Sequence, residues 1–257
     1  MSKIVERTID FFELFAREQR PLTLSEIARF LDIPLSSCHD VVSTLRQRGY
    51  VYQVGQREGF YVTRRMMDLT TKASRVDLTV QRAESRLRAL RDATGETVAL
   101  ARGSAMTLTY VLVVPSLSSF SVHINVGDPV RAYHATSAGK AFLGGMPVDQ
   151  QRAYLRNSGL EPLTSNTITD VEQLITELAL SEQQGIYLNR EESVEGVTTV
   201  SGRFTFSGVT YVITIPGPSV RVLHKLDEVI EQVKAACADL SREQDARTDS
   251  IAQLSPT

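Results

Sequence analysis

The segment LTLSEIARFLDIPLSSCHDVVSTLRQRGYV, residues 22–51, constrains the fold more than any other part of the chain. Leu24, Ile27, Ala28 and Leu31 share one face of a short helix that Thr23 can cap. Asp32-Ile33-Pro34 then breaks it, because proline disfavours a helical residue before it yet suits the first turn of the helix that follows. That second helix is expected to turn Leu35, Cys38, Val41, Val42 and Leu45 inward and to stop at Gly49. Two short amphipathic helices joined by a three-residue turn read as a helix-turn-helix, whose second helix offers its polar face to the major groove of DNA. Upstream, Ile4, Thr8, Phe11, Phe12 and Phe15 recur at three and four, so an aromatic-faced helix precedes the pair and ends before Pro21.

The polar face of the second helix carries short donors and acceptors suited to phosphates and base edges. Ser36, Ser37, His39, Asp40, Ser43 and Arg46 are its candidate DNA contacts. Downstream, YVYQVGQREGFYVT reads as a strand, a glycine-containing turn and a strand, with Tyr50, Tyr52, Phe60 and Val62 half-buried and Arg57 at the tip. A basic tip in that position is how a wing reaches the neighbouring backbone. The charge supports this assignment locally: the chain carries net −2, but residues 1–65 hold 10 Lys and Arg against 8 Asp and Glu, and residues 35–65 hold five Arg against Asp40 and Glu58. The same three-helix unit with a hairpin also serves elsewhere as a protein-docking module, which leaves a sensor that docks a partner through a degenerate winged helix as the competing reading.

From Arg65 to Ala93 no proline interrupts a stripe of Leu69, Val76, Val80, Ala83, Leu87 and Leu90, which predicts one long helix closed by Gly95. It serves as a dimer surface or packs on its own domain. Beyond it the pattern turns to strands, TVALARG, TLTYVLVV, GIYLN, TTVSGRF and VTYVITI, interleaved with helices. Thr169-Asp170-Val171-Glu172 has the form of a capping box opening a helix that ends at Gly185. Ser219 opens a last helix with Leu223, Leu226, Ile230, Val233, Cys237 and Leu240 as its stripe, and the polar run from Ser241 is expected to fray. The fold class is therefore α+β, divided into residues 1–65 (winged helix-turn-helix), 66–93 (linker or dimerisation helix), 94–243 (effector-binding domain) and 244–257 (flexible tail).

Other function classes find little support. No run approaches the roughly 18 apolar residues of a membrane span, and the N-terminus lacks a signal-peptide pattern, so a cytoplasmic chain with no membrane partner is expected. Cys38 and Cys237 fall on apolar helix faces and read as buried thiols. His39, His123, His134 and His224 are scattered without metal-ligand spacing, so neither metal nor cofactor is expected. His134 stands beside the loop before Thr136 and reads as a hydrogen-bonded structural residue in preference to a ligand. Glu191 and Glu192, adjacent on an expected strand, point to opposite faces and form no acid/base pair. An enzyme is the weakest reading.

In sequence and spacing the chain resembles the IclR-type bacterial transcriptional regulators. LTLSEIA, the segment Ile33–His39 and the Gly49-Tyr50-Val51 strand entry match that family's helix-turn-helix in order and spacing. VGDPVRAYHATSAGKAFLGGMP, residues 126–147, is similar to its effector-domain signature, in which a strand turns through Thr-x-x-Gly-Lys into a helix. The resemblance implies a GAF-like effector domain, binding of a double-stranded operator as a homodimer or homotetramer, and control by a small-molecule effector. It places the effector site at Ser137, Ala138, Gly139, Asn189, Thr199 and Thr214. Three departures stand out. Asp40 replaces a common arginine; Asn189 and Thr199 stand where members that bind small oxo acids tend to carry aspartate and cysteine; Arg203 stands where proline is frequent. An inward Arg203 would favour a carboxylate ligand, an outward one is surface. The free amides at the start of the helix after Thr136 form a nest for an anionic group, whereas Lys140 lacks a phosphate-loop context.

Overall fold

The computed structural model describes residues 3–55, 58–74 and 78–252, and its chain divides into two units, Met1–Val76 and Asp77–Thr257.

The first unit is built from helices α1 (Lys3–Glu18), α2 (Leu24–Phe30) and α3 (Leu35–Gln47), the hairpin β1 (Val51–Gly55) and β2 (Gly59–Val62), and helix α4 (Arg65–Ser74). Thr23 caps α2 as expected, and with Glu26 it forms a full capping box: the Glu26 carboxylate accepts from the Thr23 amide at 2.8 Å while the Thr23 hydroxyl accepts from the Glu26 amide. Phe11, Leu14, Phe15, Leu22, Ile27, Cys38, Val42, Leu45 and Val51 form the core. Two burial expectations fail. Leu35 is the first residue of α3, ahead of the turn that packs, and is half exposed. On β1, Val51 takes the buried face, so Tyr52 points outward, edge-on to its cross-strand partner Tyr61.

The predicted long linker helix divides between the units. Helix α4 belongs to the first, where Leu69 is exposed, and α5 (Leu78–Thr94) belongs to the second, where Ala83, Leu87 and Leu90 are buried in its core. Helix α5 thus packs on its own domain; residues 75–77, with the expected stripe residue Val76, lie outside the described residues.

The second unit continues through β3 (Val98–Ser104), β4 (Thr107–Val114), α6 (Ser137–Gly144), α7 (Val148–Ser158), α8 (Val171–Gln184), β5 (Tyr187–Arg190), β6 (Val197–Phe206), β7 (Val209–Pro218), α9 (Ser219–His224) and α10 (Leu226–Ala252). Its antiparallel sheet has the order β4-β3-β7-β6-β5. Strand alternation gives the sheet two faces, each with its own core. Val98, Leu100, Val200, Ile213 and Ile215 pack with α5, α9 and α10, while Ala101, Tyr187 and Val212 pack with α6, α7 and α8. The result is helices on both sides of one sheet.

Four local expectations are corrected. The α8 cap is Asp170 alone, whose carboxylate accepts from Gln173 N at 2.7 Å, because Glu172 is drawn away to Arg152. The expected last helix breaks at Lys225, and in α9 the buried apolar position is Val222, with Leu223 exposed. Ser219 does not cap it; its hydroxyl bonds Thr198 at 2.9 Å. The helical backbone also runs on past Ser241 to Ala252, since its Arg, Glu, Gln and Ala favour helix and no proline occurs before Pro256.

Candidate functional site

Helix α3 is held by its buried residues Cys38, Val42 and Leu45, which share one face at spacings of four and three, so the residues on the opposite side face solvent. Ser36, His39, Asp40, Ser43 and Arg46 are exposed, and Ser37 is half-buried on the flank. The expected polar face is therefore one continuous surface. Thr44 is less available than its neighbours, because its hydroxyl donates to Asp40 O at 2.8 Å. Asp40 does not stand among acids. It shares with Arg7 and Arg48 the lining of a groove of about 610 Å³ between α1, α3 and α4, and His39 Nδ1 lies 3.8 Å from its carboxylate. The hairpin β1–β2 follows α3 as expected, fastened to the segment before α2 by the isolated bridge of Leu22 and Phe60, and Gly59 is required there: a Cβ on it would come within 2.4 Å of Leu22 O. Arg57, the expected wing tip, lies outside the described residues.

The second site forms where α6 begins. Thr136 caps the helix, its hydroxyl accepting from Gly139 N at 3.3 Å, which leaves Ser137 free to point at the sheet. Ser137 Oγ lies 2.5 Å from Thr199 Oγ1 and 2.7 Å from Ser201 Oγ, with Ser137 and Ser201 buried and Thr199 half-buried. The sheet register explains the cluster. Asn189 pairs with Thr199 and Ser201 with Thr214, so the period of two sets all four on the face that α6 covers. Asn189 on β5 and Thr199 on β6 are cross-strand partners. Gly139 permits the approach of α6, for a Cβ there would sit 2.3 Å from Tyr133 Cα.

The polar atoms here are unequally committed. Asn189, fully buried, donates through Nδ2 to Ser193 and accepts from Glu192 N, both at 2.7 Å, so its amide holds the turn after β5. Glu191 and Glu192 lie in that turn, beyond the end of β5, with Glu191 at φ 61. Thr214 is buried opposite Ser201. Ala138 is buried against the neighbouring core.

One turn into α6, Lys140 is wholly buried. Its ammonium donates to Glu177 at 2.7 Å, to both oxygens of Glu192 at 2.6 and 2.7 Å, and to Leu188 O at 3.3 Å. A lysine with this many acceptors is a structural cation, not a free anion-binding one. Burial pushes the Glu192 carboxyl above its ordinary range, and Lys140 opposes the shift. Arg203 is likewise engaged, paired with Glu182, which also accepts from Tyr187. The burial of Tyr187 raises its phenol above the usual range. His134 Nε2 lies 2.9 Å from Glu161 O, the structural role expected of it. Sequence reasoning missed Ser201, although its spacing of two from Thr199 would have revealed it, and missed the partners of Lys140, which lie 37 and 52 residues away.

A helix-turn-helix with a hairpin, followed by a separate sheet domain with a buried polar row beneath a helix start, defines a transcriptional regulator with a DNA-binding unit and a ligand-binding unit. The description "IclR helix-turn-helix domain" matches residues 4–55, and "Bacterial transcriptional regulator IclR C-terminal" matches residues 70–242. The chain belongs to the IclR family. It is 29% identical over 243 residues to the HTH-type transcriptional regulator BhcR of Paracoccus denitrificans, covering 93% of this chain and 86% of that one. To the HTH-type transcriptional regulator KdgR of Escherichia coli K12 it is 25% identical, covering 87% and 86%. The fold is that of the Thermotoga maritima IclR, with a TM-score of 0.78 at 21% identity over 93% of this chain and 98% of that one. An IclR homolog from Microbacterium hydrocarbonoxydans, solved with 4-hydroxybenzoate, gives 0.70 at 19% identity over 95% and 100%.

Proposed function

We propose that this regulator binds a double-stranded operator as a homodimer or homotetramer in the cytoplasm, and that a small polar or acidic metabolite controls it without any catalytic step. Helix α3 enters the major groove with Ser36, His39, Asp40, Ser43 and Arg46 at base edges or phosphates, and Ser37 at its flank. Arg57 is assigned to the backbone beside the hairpin. Two copies are needed because one helix reads only a few base pairs, and two-fold half-sites lie roughly 34 Å apart.

The surface for pairing is on α1. Phe11, Leu14 and Phe15 fill its own core, while Val5, Ile9, Phe12 and Ala16 recur at four, three and four on another face, where Val5 and Ile9 are exposed. An outward stripe with that spacing fits a second helix.

The effector is assigned to the start of α6 over β6 and β7. Ser137, Thr199 and Thr214 supply its hydroxyl contacts, Ala138 its backbone amide, Gly139 the room at the helix start, and Asn189 fixes the turn beside it. The observation that carries this reading is the Ser137–Thr199–Ser201 hydroxyl cluster beside Thr214, a polar row that a ligand can rearrange. Lys140 and Arg203 are both committed to carboxylates, so a carboxylate ligand is held by amides and hydroxyls without a paired cation. The ligand in the Microbacterium relative supports a small carboxylate. Thermal shift against 4-hydroxybenzoate, simple 2-oxo acids and neutral polyols tests the site: ligands that stabilise the wild type must lose that effect in Thr199→Ala and Thr214→Val, and equal stabilisation of all three refutes the assignment.

A further inference from the structure

The major groove of DNA has two walls, each a phosphate backbone, and the two flanks of α3 offer them different groups. His39 and Arg46, seven residues apart, face one flank; Ser37, Thr44 and Arg48, spaced seven and four, face the other. Asp40 lies between the flanks and lines a groove together with Ser37, Thr44 and Arg48. An acid there repels a phosphate, so this flank needs cations to meet its wall.

The second cation comes from another helix. Arg7 of α1 lines the same groove of about 610 Å³, along with apolar Phe12, Val41 and Leu45, on which arginine methylenes can pack while the heads stay outside. Other arginines of this unit are occupied. Arg17 and Arg20 pair with Glu18 and Glu26, and Arg29 and Arg65 lie over the rings of Phe30 and Tyr50. Among the described residues, Arg7 and Arg48 have neither kind of partner; the Asp40 carboxylate has His39 at 3.8 Å and forms an ion pair with neither arginine. The hydroxyls of Thr8 and Thr44 are spent on Ile4 O and Asp40 O, both at 2.8 Å, which leaves the guanidiniums as the main donors of the groove. Arg48 ends α3, where a cation favours the last carbonyls, but Arg7 stands near the start of α1, where the helix dipole disfavours one. Helix α1 alone therefore gives Arg7 no reason to be basic. Arg7 is also two residues from both Val5 and Ile9, on the other side of α1 from the stripe assigned to pairing, so a second copy there leaves it accessible.

We infer that Arg7 and Arg48 are phosphate-contacting residues that hold the DNA backbone on the α1 side of α3, opposite the wall that Arg46 meets. The inference rests on α3 lying in the major groove. Planar heads with several donors, converging from two helices, suit phosphodiester oxygens and carry no preference for a base.

The test is fluorescence anisotropy of the full-length protein on the DNA flanking its own gene and on a duplex of unrelated sequence, titrated between about 50 and 200 mM salt. Arg7→Ala and Arg48→Ala should each lower the slope of log K against log salt by about 0.9, and R7A/R48A by about twice that, on both DNAs. The ratio of the two affinities should stay within about twofold, because phosphate contacts do not specify sequence. Arg7→Lys keeps the charge and should keep the slope, an outcome that a purely structural arginine would not give. Wild-type slopes in both alanine variants, whatever their affinity, overturn the inference, as does a loss confined to one of the two DNAs. A lowered slope in Arg46→Ala with none in Arg7→Ala or Arg48→Ala leaves α3 on the DNA and refutes the clamp. Lowered slopes in Arg7→Ala and Arg48→Ala, with affinity and selectivity untouched in a Ser36→Ala/Arg46→Ala variant, refute base reading by α3 and leave the phosphate contacts standing.

Discussion

The Ser137 hydroxyl, at the first residue of α6, lies 2.5 Å from the Thr199 hydroxyl on β6. This contact joins the helix start to the strand that pairs with both Asn189 and Thr214, and it depends on Thr136 taking the capping role in place of Ser137. Ligand and DNA functions sit in different units, so a change here should separate them. Ser137→Ala is expected to leave operator affinity within about threefold. Loss of one ligand hydrogen bond, about 1 kcal/mol, should raise the effector concentration needed for half response severalfold. Gel-shift titration with and without effector measures both, and an equal loss of DNA affinity would contradict the separation.

Asp40 is the exposed acid on the recognition surface, near Arg7 and Arg48. Asp40→Arg should strengthen binding to unrelated DNA and steepen the slope of log K against log salt by about one phosphate contact. Arg46→Ala should shift the slope in the opposite sense. Anisotropy titrations at several salt concentrations decide it; unchanged slopes in both variants would remove α3 from the DNA.

Lys140 neutralises two carboxylates inside the second unit, Glu192 nearly buried and Glu177 about a third exposed. Lys140→Met removes the cation and leaves Glu192 buried, which should cost about 3–5 kcal/mol. K140M/E192L should recover part of that loss because the orphaned carboxylate is gone. Urea denaturation of the full chain reads both, and a single-variant cost below about 1 kcal/mol would show that the cluster is hydrated and not structural.

In the first unit, the capping box sets a pH-dependent contribution. Hydrogen bonds from the Thr23 amide and hydroxyl, then from Arg20, hold the Glu26 carboxyl at about 2, below an unfolded value of about 4.3. A lowered carboxyl stabilises the fold above the unfolded value and loses that contribution as pH falls toward about 2. The stability gap between wild type and Glu26→Gln should therefore be full at pH 7 and shrink between about pH 4 and pH 2 in calorimetric scans. Thr23→Ala should cost about 1 kcal/mol at neutral pH, and a gap that widens on acidification would contradict the cap assignment.

The helix-turn-helix was legible because its signals are local: apolar spacing, a cap at Thr23, and a proline at residue 34 all act within a few residues. The strand order in the second unit was less so, and the reasons are particular. Leu223 was assigned inward because Leu223 and Leu226 share the spacing of three, yet the neighbouring Val222 takes the buried side of α9. Tyr52 was expected half-buried because aromatic residues fit a hairpin, yet Val51 takes the buried face and leaves Tyr52 exposed. Thr199 and Asn189 were recognisable only through resemblance, and their meeting depends on a strand pairing that no local pattern states. The Lys140 cluster was invisible, since both carboxylates come from elements that the sheet brings back to α6.

The central claim is that helix α3 reads DNA under the control of a ligand in the second unit. Its most direct test is a gel shift of the full-length protein on the DNA flanking its own gene, run across salt concentrations and in the presence of a stabilising ligand from the thermal-shift panel. Sequence-selective, salt-dependent retention is expected, lost in a Ser36→Ala/Arg46→Ala variant and shifted by ligand in the wild type but not in Thr199→Ala. No selective retention at any salt, or a ligand effect unchanged in Thr199→Ala, would contradict the account.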